Sequence, residues 1–316
     1  MLPIRILSPL LMPAFILCVS VAAHAQDKGS IDPKPLAPLT NPNDPKLAAK
    51  ELFGRKLLPA AMPTRVLGFY AKGCIAGAQA LPITGDTWQV MRLSRNRNWA
   101  HPDMVELLER LSVNAHKDAG WPGILVGDMS QPRGGPMSTG HASHQVGLDA
   151  DIWLTPMPSR QLSRDEREEM SAVMMVRPDR LDIDPHVFTS GHLAVIRDAA
   201  REPNVQRIFV NPAIKKALCR DARGDRDWLS KVRPMYGHDF HFHIRMRCPA
   251  NSSVCESQPE PADGEGCSNA DLAYWFKDSV LHPPPPKTPP KPKPPITVAQ
   301  LPAACRDVLA APDAKP

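Results

Sequence analysis

The chain has 316 residues and a small excess of positive charge, with 38 Lys and Arg against 33 Asp and Glu. Charges this closely balanced lack the strongly basic footprint of a nucleic-acid-binding protein, so we expect no nucleic-acid partner. The chain is long enough to bury one sizeable core or two small ones.

The first 25 residues have the three parts of a secretory signal peptide. Arg5 gives a positive start, residues 6–22 are mostly apolar, and the sequence Ala-His-Ala at 23–25 fits the small-x-small cleavage rule. A membrane anchor is the alternative, but the apolar run is short and contains two prolines. We expect cleavage after Ala25, export to the periplasm, and no stable membrane insertion of the mature protein.

The cysteines fit an exported protein. Of the seven in the chain, one lies in the signal peptide, which leaves an even number in the mature part. An even count in an exported chain predicts disulfides. A thiolate metal site is the alternative, and the absence of any CxxC pair speaks against it. The sequence alone leaves the pairing open among Cys74, Cys219, Cys248, Cys255, Cys267 and Cys305.

Residues 26–60 are rich in Pro, Asn and Lys and are predicted to form a loose N-terminal arm, followed by a main domain over 61–281. Pro102 suits the first position of a helix that Gly120 ends. Strands and helices alternate without a strict βαβ pattern, which predicts an α+β fold. In this fold we expect a small, mainly antiparallel sheet that is flanked by helices and held by disulfides. The other predicted helices are 164–173, 191–201 and 212–218. The predicted strands are 87–93, 124–129, 148–152, 205–210 and 240–247.

The segment 282–316 begins with a run of prolines and lysines that favours an extended polyproline II conformation. A semi-rigid spacer is the interpretation we prefer, because the alternative, a ligand for an SH3-type domain, fits poorly outside the cytosol. Cys305 lies just beyond this run, so the segment is predicted to be a strap that a disulfide pins to the domain.

Two histidine-rich segments carry the candidate chemistry, HASHQVGLDAD at 141–151 and HDFHFH at 238–243. A long Gly/Pro loop, 131–140, leads into the first segment. Side chains alternate along a strand, so Asp149 shares a face with Asp151, and His241 shares a face with His243. Neighbouring strands lie about 4.8 Å apart, so two such polar faces can converge on one ion.

His144, Asp151 and His243 are our predicted zinc ligands, since zinc binds imidazole and carboxylate groups. Three protein ligands leave one coordination position open, which is typical of a catalytic rather than a structural zinc. Such an ion would lower the pKa of its bound water to roughly 7 and polarise a scissile carbonyl. Taken alone, the HxH pair could equally consist of two solvent-exposed histidines on a strand that binds no metal.

The pattern HxxxxxxD followed by HxH resembles that of the zinc peptidases of the lysostaphin, D-Ala-D-Ala carboxypeptidase and hedgehog group. Within this group the chain looks like the penicillin-insensitive murein endopeptidase family. The similar segments span most of the mature chain and are 73–77, 81–82, 89–92, 101–103, 127–129, 140–149, 207–215, 225–229, 231–234 and 245–249.

The resemblance implies one catalytic zinc held by the three predicted ligands. It places His241 beside the metal, as a general base or a group that stabilises the tetrahedral intermediate, and His238 is a second candidate for that work. It also suggests that His141 binds a second ion or shapes the rim of the site. Asp184 and His186 lie where the family has a further Asp/His pair, but their spacing departs from its pattern.

Asp149 has two possible roles. It could orient a ligand histidine or be an ordinary polar strand residue. The resemblance further implies the disulfides Cys74–Cys305, Cys219–Cys267 and Cys248–Cys255.

The implied activity is hydrolysis of the D-alanyl–meso-diaminopimelyl cross-link of peptidoglycan, so the expected partner is a cross-linked peptide of the cell wall. Two alternatives stay open at this point. One is a D,D-carboxypeptidase acting on monomeric stem peptides. The other is a non-catalytic, zinc-stabilised module that binds the cell wall.

Overall fold

The computed structural model describes residues 28–286, 288 and 294–315, so the predicted signal peptide lies outside the described residues. No helix within these ranges is both long and apolar enough to cross a membrane. The helices are α1 (Ala49–Phe53), α2 (Pro102–Ala119), α3 (Arg164–Glu169), α4 (Ser190–Arg201), α5 (Pro212–Asp221), α6 (Asn269–Leu272), α7 (Asp278–Leu281) and α8 (Ala304–Ala310). The strands are β1 (Arg65–Phe69), β2 (Lys72–Ala76), β3 (Gln79–Ala80), β4 (Trp88–Val90), β5 (Trp99–Ala100), β6 (Ile124–Val126), β7 (Asp149–Trp153), β8 (Val205–Val210), β9 (Val232–Pro234) and β10 (His241–Met246).

The central sheet has six strands in the order β4-β6-β7-β10-β8-β9. The predicted mixture of helices, strands and disulfides is confirmed, but the prediction of a small, mainly antiparallel sheet was too simple. The three inner pairings are antiparallel, whereas β4 pairs in parallel with β6, and β8 with β9. Parallel neighbours need a long crossover, and the connections between these pairs contain α2 and α5.

Helix α2 forms where its sequence signals place it. The His101 ring accepts a hydrogen bond from the Asp103 backbone N–H (3.3 Å), Pro102 opens the first turn, and Gly120 ends the helix with φ 68°. The face of α2 that contains Leu107 and Leu111 is fully buried in the main core. This core holds the inner strands β7 and β10, on which the candidate site is built.

Helix α3 is shorter than predicted. It ends at Glu169 rather than continuing to residue 173. The Arg92 guanidinium donates to the carbonyl oxygens of Arg167 (2.9 Å), Glu168 (2.8 Å) and Met170 (2.9 Å). If the helix continued, these carbonyls would accept hydrogen bonds from the backbone N–H groups of the next turn. The side chain of Arg92, which is distant in sequence, supplies these hydrogen bonds instead.

A second, smaller core joins the two ends of the described chain. Ala49 and Phe53 of α1, which lie in the range predicted as a loose arm, are buried there against the last helix, α8. The Cys74–Cys305 disulfide links β2 to α8 within this core, and the Cys219–Cys267 and Cys248–Cys255 disulfides complete the three predicted pairings, which are confirmed. The Ala49 N–H also donates to the Ile296 carbonyl (2.7 Å), which ties the end of the strap to α1.

Arg133 is fully buried at this junction and donates hydrogen bonds to the carbonyls of Leu58 (3.2 Å), Val308 (2.5 Å) and Ala311 (2.8 Å). We expect Arg133→Met to lower the free energy of unfolding by about 2–4 kcal/mol, because it leaves buried carbonyls without donors. Urea denaturation measures this loss. Arg306→Met on the exposed side of α8 is the control, and equal stabilities of the two variants would refute the role of Arg133.

Candidate metal centre

The first histidine segment reaches the sheet through a tight turn. Gly147 has φ 71°, and a side chain there would meet the Ile75 side chain and the His101 backbone nitrogen, so only glycine fits. His144 itself has φ 64°, and its N–H donates to Asp149 Oδ2 (3.0 Å). This bond fixes the turn to the start of β7, which places the His144 ring over the strand.

The pairing of β7 with β10 brings the two histidine segments together. His243 lies directly opposite Asp151, and Arg245 lies opposite Asp149. Directly opposed residues of an antiparallel pair have side chains on the same face at close distance. The expected convergence of the polar faces of the two strands is therefore present in the structure.

Asp151 is the shared centre of the histidine cluster. Its Oδ1 lies 3.2 Å from His243 Nδ1, 3.5 Å from His144 Nε2 and 3.7 Å from His241 Nε2. Its Oδ2 lies 3.4 Å from His141 Nε2. Both carboxylate oxygens of one buried aspartate on β7 thus face imidazole nitrogens from the neighbouring strand β10 and from the loop that precedes β7.

A metal ion has two overlapping sets of candidate ligands here. Among the described residues, His141, His144 and Asp151 offer ligand atoms that all lie within 4.8 Å of one another. The predicted set differs in containing His243, whose Nδ1 faces Asp151, in place of His141. We call His141, His144, Asp151 and His243 together the candidate metal centre.

The candidate metal centre contains buried polar atoms without hydrogen-bond partners. Both ring nitrogens of His144 and Oδ1 of Asp151 form no hydrogen bond of acceptable geometry with the described residues, although His243 Nδ1 lies 3.2 Å from that oxygen. Leaving such an atom unsatisfied costs about 1–3 kcal/mol, so proteins rarely leave several together. A metal ion bound by imidazole nitrogen and carboxylate oxygen would satisfy these atoms, and zinc prefers such ligands.

Asp149 fixes the orientation of His243. Its Oδ1 accepts from His243 Nε2 (2.9 Å), and Arg245 Nε donates to the same oxygen (2.7 Å). A carboxylate can only accept, so His243 carries a proton on Nε2 and presents Nδ1 to Asp151. Of the two roles considered for Asp149, the structure favours orientation of a candidate ligand.

The buried environment sets the charge of each histidine. Burial lowers the pKa of His144 to about 4, so this ring is neutral near pH 7 and can act as a ligand. Burial also disfavours a charge on His243, but Asp149 and then Asp151 outweigh it and raise its pKa to about 9. Binding of a metal to His243 Nδ1 would therefore release a proton.

His241 and His238 lie next to the candidate metal centre, with ring centroids 4.9 Å apart. Burial lowers the pKa of His241 and, together with His241 and His243, lowers that of His238 to about 3. His238 Nδ1 lies 3.1 Å from the Tyr236 carbonyl, which can only accept, so Nε2 is its basic nitrogen. Both rings are therefore neutral near pH 7.

Asp128 also belongs to this cluster, although its sequence pattern predicted no role for it. Its Oδ2 lies 3.1 Å from His141 Nε2 and accepts from Arg95 (2.9 Å) and Arg97 (2.8 Å). Burial would raise the pKa of Asp128, but His141 and the two arginines hold it well below its usual range. The signal in the sequence was a lone aspartate two residues after the apolar stretch that forms β6.

A cavity of about 160 Å³ gives access to the cluster, and Asp128, His141, Asp151, Trp153 and His241 contribute to its wall. By contrast, Asp184 accepts a hydrogen bond from the His186 backbone N–H (2.9 Å), and neither residue belongs to the group of candidate ligands among the described residues. The question of a second ion thus concerns His141 rather than this pair.

We expect Asp149→Asn to weaken zinc binding by about 10–100-fold, because an amide no longer holds the His243 ring in a single tautomer and orientation. Competition with a chromophoric chelator measures the dissociation constant. Asp118→Asn, an exposed position on α2, is the control. A dissociation constant equal to that of the wild type would show that Asp149 does not support the metal.

Comparison with known proteins identifies the family. The model of the penicillin-insensitive murein endopeptidase family matches residues 66–310. A penicillin-insensitive murein endopeptidase of Haemophilus influenzae is 45% identical over 252 residues, covering 78% of this chain and 83% of its own. A protein of the same name from Salmonella arizonae is 44% identical, and the match covers 79% of this chain and 88% of the relative. Another from Yersinia pestis bv. Antiqua is 43% identical, and the match covers 77% of this chain and 87% of the relative. This chain therefore belongs to the penicillin-insensitive murein endopeptidase family.

Proposed function

We propose that this protein is a zinc-dependent murein endopeptidase that hydrolyses the D-alanyl–meso-diaminopimelyl cross-link of peptidoglycan. Membership of the family supports action on murein. The observation that carries the zinc chemistry is the set of buried, unpartnered ligand atoms on His144 and Asp151. The HxxxxxxD and HxH patterns also lead us to group the family with the lysostaphin, D-Ala-D-Ala carboxypeptidase and hedgehog peptidases.

His144, Asp151 and His243 are the proposed zinc ligands, and His141 is a further candidate, either for the same ion or for a second one. Bound zinc would supply Lewis-acid activation of a water molecule and of the scissile carbonyl. Asp149 keeps Nδ1 of His243 directed at the centre through its bond to Nε2 (2.9 Å).

His241 is the proposed proton acceptor. Its Nε2 faces Asp151 at 3.7 Å, and the lowered pKa keeps the ring neutral and able to take a proton from the attacking water near pH 7. It can then pass this proton to the leaving amine of the cross-link. His238 lies next to His241 and is the second candidate for this proton transfer. Its Nδ1 faces the Tyr236 carbonyl, so Nε2 is the nitrogen that can accept a proton.

We place the activity in the periplasm, because murein lies there and residues 1–25 have the pattern of an export signal. The same placement suits the three disulfides, which persist in an oxidising compartment.

Metal depletion and restoration test the proposal. Protein treated with a chelator and dialysed should not cleave purified muropeptide dimers, and about one equivalent of zinc per chain should restore cleavage, whereas magnesium should not. Full activity of zinc-free protein would refute the zinc chemistry. Release of D-alanine from monomeric pentapeptides, with dimers left intact, would instead identify a D,D-carboxypeptidase.

A further inference from the structure

A groove of about 890 Å³ lies beside the candidate metal centre. Its lining consists of the extended segment 33–42, which contains four prolines and which we call the proline-rich wall, together with 54–57, 94–97 and parts of 131–139. Arg95 lines both this groove and the smaller cavity at the histidine cluster. A ligand in the groove would therefore approach the candidate metal centre at this arginine.

The proline-rich wall precedes the part of the chain that matches the family model, which begins at residue 66. Its backbone is held by a few specific contacts. Arg55 Nη2 donates to the Ala37 carbonyl within the wall (2.7 Å), and just before the wall the Ser30 N–H donates to Ser94 Oγ (2.9 Å). Nearly all residues of this wall are exposed, so it lies on the surface of the matched domain rather than in its core.

The lining of the groove is positively charged. It contains Lys34, Arg55, Lys56, Arg95 and Arg97, and no Asp or Glu appears among the described residues that form it. Lys34 and Arg55 pair with Asp32 and Glu51, and the other two arginines share Asp128.

Lys56 differs from these four cations. Its ammonium group has no carboxylate within 4.0 Å among the described residues, and its side chain is half-buried. Burial, and then the nearby Arg133 guanidinium, lower the pKa of Lys56, and the Asp313 carboxylate partly offsets this effect. A partly desolvated cation that forms no ion pair, set in a cleft whose described lining contains no acidic residue, favours an anionic ligand.

We propose that this groove binds a second stem peptide of cross-linked murein through its free carboxylates, with Lys56 as the main charged contact. The inference rests on the proposed function, because murein supplies the occupant. Stem peptides are short, extended and acidic, which suits a groove lined by prolines, leucines and basic side chains, with no acidic residue in its described lining. The groove would thereby favour cross-linked murein over isolated short peptides.

Charge reversal at Lys56 tests this proposal. We expect Lys56→Glu to raise KM for a muropeptide dimer by about tenfold and to leave kcat within about twofold, because a charged contact remote from the scissile bond is lost. A dimer with amidated carboxylates should show little difference between wild type and variant. Lys56→Gln should give a smaller change in the same direction. Lys46→Glu, the same charge change at an exposed position outside the groove, should behave like the wild type.

Binding measurements separate this proposal from the proposed function. The dissociation constant of the same dimer for chelator-treated protein, measured by calorimetry, does not depend on cleavage. A weaker complex with Lys56→Glu than with Lys46→Glu supports the groove even if the wild type cleaves no dimer, a result that would overturn only the endopeptidase function. Equal dissociation constants, or an equal rise in KM for the amidated dimer, would overturn the groove proposal.

Discussion

Replacing His243 with alanine is expected to reduce cleavage of cross-linked muropeptides at least about a thousandfold, which corresponds to roughly 4 kcal/mol in the activation barrier. His243 Nδ1 is the nitrogen held towards Asp151, so the variant loses a proposed ligand together with the partner of Asp149. Initial rates on purified dimers and the zinc content of the protein measure the two effects.

His282→Ala is the matched control, because this histidine is exposed and lies outside the cluster. It should keep wild-type rates and zinc content. If His243→Ala remained fully active, the assignment of the ligands would be wrong. If it kept its zinc but lost activity, His243 would act on the substrate and the metal would be held by His141, His144 and Asp151.

The Cys74–Cys305 disulfide is expected to make the largest single contribution to stability. It joins residues 231 apart in sequence, and both sulfurs are buried in the second core. In the loop-entropy model a crosslink over a segment of this length stabilises by roughly 5 kcal/mol. We expect the double variant Cys74→Ser, Cys305→Ser to lose about this much in urea denaturation at constant pH.

The Cys248–Cys255 disulfide provides the comparison, because it spans only 7 residues. Its removal should cost roughly 2 kcal/mol in the same model. Equal losses for the two double variants would mean that loop closure does not govern the effect. A smaller loss for Cys74–Cys305 would mean that α8 is held mainly by its packing and by Arg133.

Local signals predicted much of the fold. Strand β8 has its predicted bounds, Val205–Val210, and α2 lies between Pro102 and Gly120, because caps and apolar periodicity act over a few residues. The early end of α3 was not predictable, since the donor that replaces its next turn, Arg92, lies 75 residues away from Arg167. The parallel pairing of the outer strands was missed for a similar reason, because short apolar runs do not reveal which strands they pair with.

Periodicity also predicted the meeting of the two histidine segments. Alternation along β7 and β10 placed Asp151 and His243 on polar faces, and the register of the two strands sets them directly opposite each other. Asp128 received no role because a single aspartate has no distinctive spacing. Its position depends on β6 lying beside β7, where the Asp128 carbonyl accepts from the Asp151 N–H (3.0 Å).

The identity of the cleaved bond is the most direct test of the proposed function. Purified dimeric muropeptides are incubated with zinc-loaded protein, and the products are sequenced by tandem mass spectrometry. We predict two monomers, one ending in a D-alanine carboxylate and one with a free diaminopimelate amine, with the uptake of one water molecule as hydrolysis requires. Intact dimers after prolonged incubation, or cleavage at any other bond, would contradict the proposal.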